Sequence, residues 1–130
     1  MIVLDASVMI AALDRTDAHF RRAKAILRSA GRERLVAHRI TLAEVLVRPA
    51  GAGKDDAVAS ALDAMGVGRL DEPDDPRVLA QLRARHGLKM PDCCVLHAAL
   101  RDGARLATFD ERLAGAARAE GVAVVRRAGD

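Results

Sequence analysis

The chain has no tryptophan and no tyrosine, and Phe20 and Phe109 are its only phenylalanines. Modules that stack nucleic-acid bases on exposed rings need more than that, which argues against an RRM or OB-type reader. The core must be built from Ala, Val, Leu, Ile and Met. No apolar run approaches the ~20 residues of a membrane span. The opening MIVLDASVMIAAL lacks a basic stretch and is interrupted by Asp5. It therefore reads as neither signal peptide nor anchor, and the chain is expected in the cytoplasm, away from membranes. Cysteine is limited to Cys93 and Cys94, which are adjacent and so poorly placed to form a disulfide. Cys94 and His97 lie one helical turn apart, but zinc needs two more ligands, and no CxxC or HxxxH occurs. There is no Walker A or GxGxxG glycine loop. The first strand lacks the DxD pattern of a phosphoaspartate phosphatase. Lysine is confined to Lys24, Lys54 and Lys89, so the net charge of +3 rests on arginine, a good bidentate phosphate partner.

What is present fits one domain spanning residues 1–130: 51% of the residues are hydrophobic and 30% are charged. Ile2-Val3-Leu4-Asp5 reads as a buried strand, followed by a helix from Ser7 to Leu13. Thr16-Asp17 opens a second helix with Phe20, Ala23, Ile26, Leu27 and Ala30 at helical spacing, ended by Gly31. Leu35-Val36-Ala37 is a strand. Thr41-Leu42-Ala43-Glu44 starts a helix that Pro49 stops. Residues 55–65 are helical and 67–70 form a strand. An acidic loop follows at Pro73–Pro76, then a helix over 77–86. Pro91 starts a helix running to about Arg101. Arg105 to Thr108 is a strand, Asp110 opens a helix, and Val122 to Val125 is the last strand. Strands alternate with helices and no tight hairpin joins them. This predicts an α/β fold with a central parallel sheet covered by helices on both faces.

Ligands of such sheets bind beyond the C-terminal ends of the strands. Asp5 closes the first strand, Asp110 follows the fourth, Glu44 lies just inside the helix after the second, and Asp92 lies in the first turn of the helix before the fourth. Each acid has a structural explanation. Thr41 and Glu44 have capping-box spacing, Asp110 is a natural N-cap, Asp92 suits a helix start, and Asp5 can cap the helix at Ser7. Together they predict something else. A charge ending an apolar strand is costly, and four converging carboxylates repel one another unless a cation joins them. An all-oxygen donor set suits Mg²⁺ or Mn²⁺, which promote phosphodiester hydrolysis.

The segments MIVLDASVMIAAL, TLAEVL, PDCCVLHAAL and LATFDERL, in that order, resemble the motif set of the PIN-domain nucleases, and among these the VapC-type toxins. The resemblance runs over nearly the whole chain. It implies a three-layer α/β/α fold and Mg²⁺-dependent endoribonuclease activity in which water attacks phosphorus, leaving a 5′-phosphate and a 3′-hydroxyl. Asp5, Glu44, Asp92 and Asp110 match the family's acidic residues and would serve as catalytic and metal-binding groups, with Mn²⁺ as a substitute ion. Ser7 matches the small polar residue after the first Asp, and Thr108 the polar residue before the last acid. The implied partners are an RNA substrate, a VapB-type protein antitoxin and a second copy in a homodimer. The departures are Ala6, where Thr is common, and the Cys93-Cys94 pair after the third acid.

Two other readings stand beside this one. The chain could be a catalytically inactive PIN-like module that binds RNA or protein, or the acids could be helix caps with the site elsewhere. His38 ends a strand near the cleft and reads as a solvated loop residue. His19, His86 and His97 show no partner spacing for general-base work. The pairs Arg21-Arg22 and Arg126-Arg127 read as solvated charge with some capacity for phosphate.

Overall fold

Ile2, Val3 and Leu4 are all buried, and the strand they form, β1 (Ile2–Leu4), occupies the middle of a five-stranded sheet. The computed structural model describes residues 1–130. In chain order the further elements are α1 (Ala6–Leu13), α2 (Phe20–Ser29), β2 (Leu35–His38), α3 (Arg39–Gly51), α4 (Asp55–Ala64), β3 (Val67–Leu70), α5 (Pro76–His86), α6 (Met90–Asp102), β4 (Arg105–Ala107), α7 (Glu111–Ala119) and β5 (Val124–Val125). The strand order is β3-β2-β1-β4-β5, and every pairing is parallel. This is the α/β architecture that the alternation of strands and helices predicts. No helix is long and apolar enough to cross a membrane.

The side-chain alternation along each strand divides the core into two layers. Ile2, Leu4, Leu35 and Ala37 pack with Val8, Met9, Ala12, Ala23, Ile26 and Val45 from the first three helices. Val3, Val36 and Leu106 point the other way and pack with Leu82, Val95, Leu96, Leu113 and Ala117 from α5, α6 and α7. A parallel sheet buried on both faces needs such helical cover on each side. The register Val3↔Leu106 and Leu4↔Ala107 brings the C-terminal ends of β1 and β4 side by side. From β1 the chain winds outward through β2 to β3, and then returns to β4 and β5 on the other flank. The sheet therefore has its topological switch at the β1–β4 boundary, where the crevice of an open α/β sheet forms.

Three local expectations are corrected. Helix α2 begins at Phe20 rather than at Thr16. Asp14 and Asp17 instead form turns, accepting from the backbone N–H groups of Thr16 at 2.9 Å and His19 at 2.8 Å. Helix α3 begins at Arg39, with His38 as its N-cap, so Thr41 and Glu44 do not form a capping box. Thr41 is fully buried inside the helix. Pro49 does not stop α3, which continues to Gly51. Pro49 has no N–H for the Val45 carbonyl, so α3 loses one bond there and runs only two residues further.

Leu106 is completely buried in β4 and packs into the layer formed with α5, α6 and α7. Leu106→Ala is expected to lower unfolding stability by about 2–5 kcal/mol through lost transfer energy and the remaining cavity. Urea denaturation of the two proteins measures this. A cost below 1 kcal/mol would contradict the tight packing of that layer.

Candidate functional site

Asp5 follows β1 directly and is only 6% exposed. Its backbone has extended geometry at the N-cap of α1, but its side chain makes no capping bond. The carboxylate turns instead to two hydroxyls. Ser7 Oγ and Thr108 Oγ1 each donate to Asp5 Oδ2 at 2.8 Å. The same hydroxyl oxygens accept in turn: Ser7 Oγ from Phe109 N–H at 3.0 Å, and Thr108 Oγ1 from Asp110 N–H at 3.0 Å. The stretch 108–110 is thereby laced to α1 across the β1–β4 boundary. Both hydroxyl bonds fall on Oδ2, so Oδ1 keeps its lone pairs for another partner.

Asp110 caps α7, with Oδ1 accepting from Leu113 N–H at 2.9 Å. Its capping role is real, and its second oxygen stays free for the cleft. Glu44 reaches the same place from the second turn of α3, and Asp92 from the first turn of α6. Asp5, Ser7, Glu44, Asp92 and Asp110 all line one cleft of about 360 Å³, together with Lys89 and Arg112. The structure thus brings the four acids and Ser7 to a single opening. Thr108 sits beneath it, wholly buried.

The electrostatics follow from this crowding. Burial raises the Asp92 carboxyl to about 6, helped by the neighbouring charges of Asp5, Asp110 and Glu44. Partial desolvation, then the Asp5 charge, raises Glu44 above the usual carboxylate range. Lys89 opposes both shifts without cancelling them. No hydrogen bond relieves either group. Oxygen donors held close together without enough counter-charge, with no sulfur or imidazole nitrogen among them, have the chemistry that a hard cation such as Mg²⁺ prefers.

Lys89 and Arg112 also reach the cleft. They neighbour motif acids, Lys89 three residues before Asp92 and Arg112 two after Asp110, but nothing in their spacing aims them there. His38 is corrected outright: it is buried, not a solvated loop residue. Its Nδ1 accepts from Ile40 N–H at 3.0 Å, and its Nε2 lies 2.9 and 3.0 Å from the two oxygens of Asp74. Donor atoms of His38, Asp74 and Cys94 lie within 4.8 Å of one another. Cys94 thus meets His38, not His97, which accepts from Asp75 N–H at 3.0 Å. The cluster is poorly suited to a metal. An imidazole whose Nδ1 accepts carries its proton on Nε2, so a cation there would have to break the α3 cap or form an imidazolate. Burial also pushes the Cys94 thiol up to about 11. The two histidines act as clamps on the loop before α5.

A profile described as the PIN domain matches residues 2–119. The chain belongs to the PIN domain family. Among solved structures, this PIN chain is similar to a toxin–antitoxin complex from Klebsiella pneumoniae, with 22% identity and a TM-score of 0.74 over 97% of each chain. It is similar to FitAcB from Neisseria gonorrhoeae, with 26% identity and a TM-score of 0.70 over 97% of each chain. It is also similar to Mycobacterium tuberculosis VapC20, a toxin that cleaves the sarcin–ricin loop, with 19% identity and a TM-score of 0.70 over 97% of this chain and 99% of that one. No curated protein matches the sequence.

The raised Asp92 value carries a sign for stability. In the unfolded chain this group titrates near its ordinary 3.8, and in the metal-free fold near 6. Between those values the folded state binds the extra proton, so stability rises as pH falls through that window and is lost as pH rises. Asp92→Asn removes the titration. In EDTA the variant should be at least as stable as the parent at pH above about 7, and its advantage should disappear on acidification towards pH about 4. Thermal unfolding of both proteins across this range is the measurement. A variant less stable at the alkaline end would show that Asp92 serves as a helix-start acid.

Proposed function

We propose that this PIN protein is a Mg²⁺-dependent endoribonuclease and the toxin of a type II toxin–antitoxin pair, formed by one domain over residues 1–130. The observation that carries the reading is the convergence of Asp5, Glu44, Asp92 and Asp110 on one cleft at the switch point of the parallel sheet. These four carboxylates would hold the ion, and Mn²⁺ would replace it. When bound, the metal supplies charge for phosphate oxygens and acidifies a water for attack on phosphorus.

The chain's own groups have separate tasks. Ser7 and Thr108 donate to Oδ2 of Asp5 and fix the orientation of its carboxylate, leaving Oδ1 turned to another partner. Leu113 N–H holds Asp110. Lys89 and Arg112 line the same cleft and offer N–H donors to phosphate oxygens of the RNA. The toxin role draws support from the similar structures, of which one is a toxin–antitoxin complex and another a toxin that cleaves RNA. A VapB-type protein antitoxin is the partner this implies. A second copy of the chain in a homodimer belongs to the same reading. The site of action on this reading is the cytoplasm.

Purified protein is expected to cleave RNA with Mg²⁺ or Mn²⁺ and to stop in EDTA, and Asp5→Asn and Asp92→Asn should each lose the activity while remaining folded. Mn²⁺ at a hundredfold excess over its Kd should stabilise the parent by about 2.7 kcal/mol, and the Asp92→Asn protein by much less. Gel assays of cleavage and thermal unfolding with Mn²⁺ read the two effects. Binding of RNA without cleavage under any metal would favour the inactive-module reading instead.

A further inference from the structure

The neighbourhood of Phe109 is not absorbed by the acid cluster. Phe109 lies between Thr108 and Asp110, and its N–H is bonded to Ser7. Its ring packs partly buried against the core and is covered by two residues from the start of α2. The guanidinium carbon of Arg22 stands 4.3 Å from the ring centroid, and the His19 ring 4.9 Å from it at an interplanar angle of 39°. Such stacking fixes the guanidinium plane and leaves its N–H edge free for other partners.

The cations nearby differ in how they are used. Arg126 is occupied: it bonds Glu111 at 2.7 Å and donates to the Phe109 carbonyl at 3.3 Å. Arg127 pairs with Asp130 at 3.4 Å. Arg21 is exposed on the outer face of α2. Arg22 alone in this group is held in place without an acceptor. It stacks on the ring, and its Nε is enclosed with no hydrogen-bond partner. Glu111 feels its charge, but that carboxylate is engaged foremost by Arg126. Phe109 directly precedes Asp110 of the cleft, so a guanidinium stacked on that ring and left unpaired can offer its terminal Nη groups to an external anion.

We propose that Arg22, positioned by Phe109, binds a backbone phosphate of single-stranded RNA next to the one that occupies the acid cleft. The inference rests on the ribonuclease reading and adds the direction in which the strand leaves the cleft, over Phe109 towards α2. Lys89 and Arg112 lie within the cleft itself, so the strand has cations both in the cleft and beside it. Arg22 thereby contributes to binding more than to the chemical step.

The probe is a short fluorescein-labelled oligoribonucleotide of mixed sequence, with binding followed by anisotropy against KCl in an Asp92→Asn background with Mg²⁺. Arg22→Gln is expected to weaken binding roughly tenfold and to reduce the slope of log K against log salt by about 0.7, the share of one phosphate on a single strand. Arg22→Lys should restore the slope but not the full affinity, and Phe109→Leu should keep the slope while weakening binding. Arg21→Gln should change neither. In the Asp92-intact protein, Arg22→Gln should raise KM with little change in kcat. An unchanged slope in folded Arg22→Gln protein overturns the proposal. Loss of polyglutamate binding without loss of RNA binding also overturns it, because Arg22 then serves a protein carboxylate. If Arg22→Gln does not fold, an unchanged affinity in both Arg22→Lys and Phe109→Leu overturns it equally. Failure of the nuclease reading shows separately, as absence of cleavage by the parent protein with Mg²⁺.

Discussion

Asp5 is a carboxylate buried at the end of the central strand, and the surrounding chain is arranged to keep it there. A charge following three buried aliphatic residues is tolerated only if other groups solvate it. Ser7 and Thr108 do so on one oxygen. Their positions are set by the β1–β4 register, which brings the ends of the two strands together. The same hydroxyls then receive the N–H groups of Phe109 and Asp110, so the fourth acid is fixed by the network that holds the first. Capping and cation binding are therefore not rival explanations for Asp110. One oxygen caps α7, and the other stays available.

The two remaining acids arrive from elements that cross the same crevice from outside. Glu44 sits on α3 and Asp92 on α6, the helices that follow β2 and precede β4. Neither is solvated by a hydrogen bond from the protein, and both are pushed towards protonation by burial and by their neighbours. The fold spends stability to hold unpaired carboxylates together, an arrangement that natural proteins keep at functional sites.

Much of this is legible in the sequence, for identifiable reasons. Ile2-Val3-Leu4 is too short and too uniformly aliphatic to be half-exposed, and Asp5 marks its end. Gly87 and Gly103 take left-handed backbone conformations directly after α5 and α6, where those helices are expected to end. The acids are legible as a set because a parallel sheet gathers strand ends on one side. The failures also have physical causes. Thr41 and Glu44 have the spacing of a capping box, but His38 supplies the cap from a buried position, using a ring nitrogen that sequence spacing does not reveal. Its partner Asp74 is 36 residues away. Arg22 shares its doublet with Arg21, and only the three-dimensional placement of Phe109 separates a stacked guanidinium from an exposed one.

The arginine-rich composition says little by itself, since net charge does not show where the charge is used. The structure divides the arginines near the site by partner. Arg126 and Arg127 neutralise acids of the chain's own surface, whereas Arg22 and the cleft cations Lys89 and Arg112 form no ion pair with the four crowded carboxylates. Leaving positive and negative groups unpaired in one neighbourhood makes sense if each awaits a different external charge. On the proposed reading the carboxylates await a divalent cation and the arginines a polyanion. An acid cluster without its cation repels phosphate, so metal and RNA should bind with positive coupling: each ligand removes the electrostatic obstacle to the other.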